Sequence, residues 1–129
     1  MEILHLIGRI ILGGFFAYSG FNHFVGLSGS SQYARSKGVP APKLAVLGTG
    51  LMLILGGASV ILGLWPNIGL WMIIAFLVPT SFIMHDFWAV PEDQKQMQMI
   101  NFTKNMALAG AALMMLVTAP EAWPYTLSG

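Results

Sequence analysis

Four long apolar stretches occupy most of this chain, at residues 3–21, 44–65, 68–84 and 105–119. A helix rises about 1.5 Å per residue, so crossing a bilayer core of about 30 Å takes ~20 apolar residues. The first two stretches are long enough. The third and fourth fall slightly short, but polar-tipped extensions at 85–88 and 97–104 can complete each crossing. Only 9% of the 129 residues are charged while 56% are hydrophobic. That is too few charges for the surface of a water-soluble domain, where about a quarter of residues are charged. The expected fold is all-α: one transmembrane domain over 1–129, a bundle of four helices with a short amphipathic segment before helix four. Its first partner is the lipid bilayer.

An even number of crossings gathers particular residues at one face. The end of the first helix, the two long connections and the start of the fourth helix meet there. Lys and Arg concentrate in those connections: Arg35, Lys37 and Lys43 in the first, Lys95 in the third, with Lys104 at the start of the last helix. The positive-inside rule places both connections in the cytoplasm and both termini outside. A net charge of +1 gives no reason to expect nucleic acid as a partner, and the absence of Cys removes disulfides and thiolate metal centres. Glu2 at the start and Arg9 within the apolar run make a cleaved signal peptide a poor reading of the N-terminus.

Local signals refine this outline. Gly13 and Ala17, Ala45 and Thr49, and Ser59 and Gly63 are small residues spaced four apart; with Gly56-Gly57 they read as helix-packing contacts. Ser28-Gly29-Ser30-Ser31 reads as loop, and residues 32–37 as a short surface helix closed by Gly38. Pro79 should kink the third crossing and release the carbonyl of Ala75. Gln94, Gln98, Asn101 and Asn105 fall on one helix face as a polar stripe, which in lipid must turn inward or reach water. Trp65 and Trp71 fit an interfacial aromatic belt, and the tail at 120–129, with Trp123 and Tyr125, an outer-interface position. Arg9 shares a face with His5 and Glu2; the expectation is that it snorkels outward to Glu2, with an anion or headgroup site as the alternative.

The groups able to carry chemistry are His23, Tyr33, His85, Asp86, Trp88, Asn101, Lys104 and Asn105, all expected near one interface. Imidazole beside carboxylate exchanges protons near neutral pH, and neighbouring aromatics stack on flat rings. Together they suit a quinone headgroup or another small ligand that is part polar and part apolar. The plainer alternative pairs Asp86 with Lys104 as a structural ion pair and leaves the histidines at the headgroups. No metal site is expected, since His23, His85 and Asp86 lack a diagnostic ligand spacing. No intrinsic cofactor is read from the sequence, and no residue is assigned as catalytic.

Several blocks resemble a known family. Gly8-Arg9-Ile10-Ile11-Leu12, Ser19-Gly20-Phe21-Asn22-His23-Phe24, Tyr33-Ala34-Arg35-Ser36-Lys37-Gly38-Val39-Pro40, Leu55-Gly56-Gly57 with Leu62-Gly63-Leu64, His85-Asp86-Phe87-Trp88 and Asn101-Phe102-Thr103-Lys104-Asn105 look like the DoxX family of small four-helix membrane proteins. The similarity runs from about Gly8 to Met115. It implies a bacterial-type inner (cytoplasmic) membrane protein and an accessory subunit of a quinone-linked oxidoreductase complex, with a protein partner, rather than a catalyst acting alone. A purely structural or lipid-binding subunit without redox chemistry is the alternative. The family often carries an acid in helix two just before the glycine pair. Here Leu51-Met52-Leu53-Ile54-Leu55 contains none, and a role resting on that acid does not carry over.

Overall fold

The computed structural model describes residues 2–118 and 123–127. Among these residues five α-helices and one 3-10 turn follow one another: α1 (Glu2–Val25), α2 (Leu27–Ser36), α3 (Pro42–Leu62), α4 (Pro66–Met84), the 3-10 turn Phe87–Ala89, and α5 (Glu92–Val117). Among the described residues α1, α3, α5 and the α4 segment are each long and apolar enough to cross a membrane. The predicted all-helical bundle is what the chain forms. Large apolar side chains such as Ile11, Leu44, Leu51, Ile68 and Met114 lie exposed on its outside, as expected when the solvent is hydrocarbon.

The apolar pattern sets the spans, and Gly and Pro set their ends. Gly63 stands at φ 64° and closes α3, where the Leu64 N–H donates to the Ser59 carbonyl at 3.1 Å. Three residues later Pro66 opens α4, where its missing N–H costs nothing. Gly38, at φ 80°, ends α2 and donates to the Arg35 carbonyl. The predicted loop at Ser28-Gly29-Ser30-Ser31 is helical, part of a ten-residue α2. Small polar residues have weak helix propensity, yet Tyr33 and Ala34 anchor this helix against the bundle and override it. The polar segment from Glu92 is the opening of α5, continuous with its apolar part.

The crossings pack in the order α1, α3, α4, α5, with α2 laid against α3. Glycine allows the closest approach. A Cβ on Gly13 would lie 2.5 Å from the Gly57 carbonyl oxygen and 2.6 Å from Ile61. One on Gly57 would meet the Gly13 carbonyl and come within 2.8 Å of the Ala17 nitrogen. Gly13, Ala17 and Gly57 thus serve as packing contacts between α1 and α3, whereas Ala45 and Thr49 line a cavity. Phe16, Leu53, Val60, Leu70, Ile73, Leu77, Ala109 and Ala112 fill the centre.

Arg9 departs from expectation. It is 1% exposed and does not reach Glu2. Its Nε donates to the Val60 carbonyl at 3.0 Å, and one terminal nitrogen donates to Ile61 (2.8 Å) and Tyr125 (3.0 Å). The other donates to the Pro124 carbonyl. Val60 and Ile61 end α3, where carbonyls lack helical partners and the dipole is negative. That end offers a better counter-pole than a carboxylate in open solvent. The guanidinium also lies 5.4 Å from the Trp123 ring. Trp123 is buried against the core, whereas Tyr125 is exposed. Residues 119–122 and 128–129, where the rest of the predicted tail falls, lie outside the described residues.

Candidate functional site

At the end of the bundle that carries both long connections, α1, α2, α3 and α4 line a half-open cavity of about 560 Å³, within the range of small-molecule sites. His23 enters it from the last turn of α1, Tyr33 from α2, Thr49 from α3 and His85 from the end of α4. Most of the remaining lining is apolar, including Val46, Met52, Phe76 and Ile83. Ala75 and Pro79 both line it. Pro79 has no N–H to give the Ala75 carbonyl, so the expected break in the helical ladder falls at the cavity wall.

Each imidazole is fixed from behind. His23 Nδ1 lies 3.1 Å from the Val46 carbonyl oxygen and 3.2 Å from Thr49 Oγ1. The Thr49 hydroxyl donates to the Ala45 carbonyl at 2.7 Å. The Phe76 ring packs 5.6 Å from the imidazole. Gly50 makes this possible, because a Cβ there would sit 2.7 Å from His23 Cβ. His85 Nδ1 lies 2.8 Å from Gln98 Oε1. Gln98 Nε2 donates to the Tyr33 hydroxyl at 3.1 Å, and that hydroxyl donates to the Met84 carbonyl at 2.7 Å. One chain of hydrogen bonds thus ties α2, the end of α4 and the start of α5 around one wall.

The structure brings three of the eight sequence candidates, His23, Tyr33 and His85, into one cavity. The other five are not among its lining residues. Asp86 bonds Lys37 Nζ at 2.6 Å, and not Lys104, because α2 lays Lys37 directly over the end of α4. Trp88 packs with Phe82, Phe87 and Phe102. Asn101 is half-buried and Asn105 buried on α5. Lys104 is exposed, with its ammonium 5.7 Å from the Phe15 ring. The His-Asp-Phe-Trp block therefore divides its labour: His85 faces the cavity, Asp86 holds α2, and Phe87 and Trp88 dock on Phe102 of α5. Among the described residues no three His, Asp or Glu side chains converge to hold a metal.

Sequence reasoning left out Thr49, Gly50, Phe76 and Gln98. Gln98 had a signal, as a member of the polar stripe that lipid forces inward, and it is indeed buried. Gly50 and Phe76 had none, since their roles depend on which faces of α3 and α4 meet His23.

Lys37 and Asp86 have side chains 17% and 19% exposed, and clamp the end of α2. The hydrogen bond to Asp86 raises the Lys37 pKa above its ordinary 10.5. A group whose folded pKa is raised stabilises the fold below its unfolded pKa, and that contribution fades as pH climbs through the raised value. Cleavage of the 38–41 linker by an alkaline-active protease should thus accelerate several-fold above pH 10.5. In Asp86→Asn the linker should be cleaved faster already at neutral pH, with the alkaline step much reduced. A step of undiminished size in the variant would remove the clamp from the explanation.

Comparison with known proteins agrees with this architecture. The DoxX family model matches residues 4–86. The chain is 33% identical over 120 residues to the inner membrane protein YphA of Escherichia coli, covering 93% of this chain and 86% of that protein. It is 26% identical over 121 residues to the inner membrane protein YqjF of the same organism, covering 92% and 85%. No solved structure gives a significant match. With the family pattern spanning three of the four crossings and a full-length relative at this identity, the chain is an integral membrane protein of the DoxX family.

Proposed function

We propose that this protein is a non-catalytic subunit of a bacterial-type inner membrane that holds a quinone-class ligand, in either redox form, for a membrane oxidoreductase complex. The observation that carries the reading is the pair of imidazoles, His23 and His85, lining one largely apolar cavity at a bundle end. A flat ring with polar atoms at its edge needs apolar walls and a few fixed polar groups. Phe76 beside His23 supplies an aromatic wall. The names of both relatives support an inner-membrane address. Arg35, Lys37, Lys43 and Lys95 favour a cytoplasmic location for the cavity end. Cysteines introduced at the exposed Ser28 and Asn67 should then react with impermeant reagent from opposite sides; the reverse sidedness would refute the orientation.

Binding is the direct test. The full chain in lipid nanodiscs should bind a decyl-tailed benzoquinone or its reduced form. His23→Ala and His85→Ala should each weaken the better-bound form by about five- to tenfold, the scale of one net hydrogen bond. Lys104→Gln, away from the cavity, should leave binding unchanged. Equal affinity in all variants would dismiss the cavity as the binding site. The complex is tested separately: native purification should bring down a stoichiometric oxidoreductase subunit, and a lone monomer would refute that part.

A further inference from the structure

We infer that the cavity selects the reduced, hydroxyl-bearing form of its ligand, a quinol, over the oxidised quinone; this rests on the quinone-class reading above. The reason is the direction in which each hydrogen-bond chain must run. A backbone carbonyl cannot donate, so at the Met84 carbonyl the proton belongs to Tyr33. The Tyr33 oxygen, its proton spent, accepts from Gln98, which fixes Nε2 on that side of the amide. Gln98 therefore turns Oε1 toward His85, and His85 Nδ1 must be the protonated nitrogen. His23 is fixed by a shorter route. The Val46 carbonyl can only accept, and the Thr49 proton is engaged with the Ala45 carbonyl, so His23 Nδ1 carries the hydrogen.

A neutral imidazole protonated at Nδ1 has a bare lone pair at Nε2. Both histidines of the cavity thus offer acceptors. A quinol presents two O–H donors, the complement of such acceptors. A quinone presents two carbonyl oxygens, lone pair against lone pair. The Ser30 and Thr80 hydroxyls also line the cavity, but a hydroxyl can donate or accept and so discriminates little. Gln98 acts as a positioning residue: it is not among the residues lining the cavity, and it sets which nitrogen of His85 is bare.

The test uses the full chain in nanodiscs at neutral pH, without oxygen, with the decyl-tailed benzoquinone and the same compound reduced by dithionite. Calorimetry should find the reduced form bound about tenfold tighter or more, the scale of one or two net hydrogen bonds. Nitrogen-15 spectra of labelled histidine should show Nε2 of His23 and His85 unprotonated. Gln98→Leu should shrink the redox preference to a few-fold and mix the two tautomers of His85 in the same spectra. Equal or tighter binding of the oxidised form, or protonated Nε2 atoms in the neutral wild-type protein, would overturn the inference while leaving the binding reading intact. Binding of neither form would overturn both.

Discussion

Arg9→Leu should be the most damaging single change in the molecule, costing about 3–5 kcal/mol and shifting thermal unfolding in detergent down by well over ten degrees. The side chain is buried and satisfies carbonyls of Val60, Ile61, Pro124 and Tyr125 together. Leucine fills part of the volume but leaves those acceptors unpaired, and each hydrogen bond to a charged donor is worth about 1.5–3 kcal/mol net. The contributions do not add fully, because the tail can move aside and find water. Arg9→Lys should recover less than half of the loss. An ammonium keeps the charge but cannot direct donors at four carbonyls from a planar fork. An Arg9→Leu protein as stable as wild type would mean that the buried guanidinium costs as much in desolvation as it returns.

Gly57→Leu should come next, at about 3 kcal/mol or more, the upper end of overpacking penalties. Even the first added carbon meets the Gly13 carbonyl and the Ala17 backbone, neither of which can rotate away. α1 and α3 must separate, and their seam is the most extensive helix contact in the molecule. His23 rides on the same face of α1, next to Gly50, so ligand affinity should fall along with stability. Gly14→Ala is the control. A Cβ there meets nothing within 4 Å, and alanine's better helix propensity makes the change neutral or mildly stabilising. Similar losses in both variants would show that helix flexibility, and not close contact, is what the glycines provide.

Gly13 and Gly14 also show where sequence reading stops. Both are small residues in an apolar run, and spacing to Ala17 singles out Gly13 only as one option among several. Which one faces a partner depends on the rotation of α1 about its axis, and hydrocarbon on one side gives no polar–apolar contrast to set it. The spans themselves were legible because bilayer thickness dictates their length. The gathering of His23, Tyr33 and His85 at one end followed from counting crossings. The partners of Asp86 and Arg9 did not follow. Asp86 shares its face with Lys37, Lys43, Lys95 and Lys104, and only the packing of α2 chooses Lys37 over the expected Lys104. Arg9 was read against side chains, whereas its counter-pole is backbone at the end of α3, which no residue letter encodes.

The same arginine has a consequence for biogenesis. Its acceptors come from residues 60, 61, 124 and 125, so α1 carries a cation whose buried partners all lie on later segments. Half of its partners arrive with the second crossing and half only with residues 124 and 125, beyond the fourth. That end of the bundle therefore closes only once residues 124 and 125 are in place, and a nascent chain stalled before residue 124 would leave two of the guanidinium's acceptors missing.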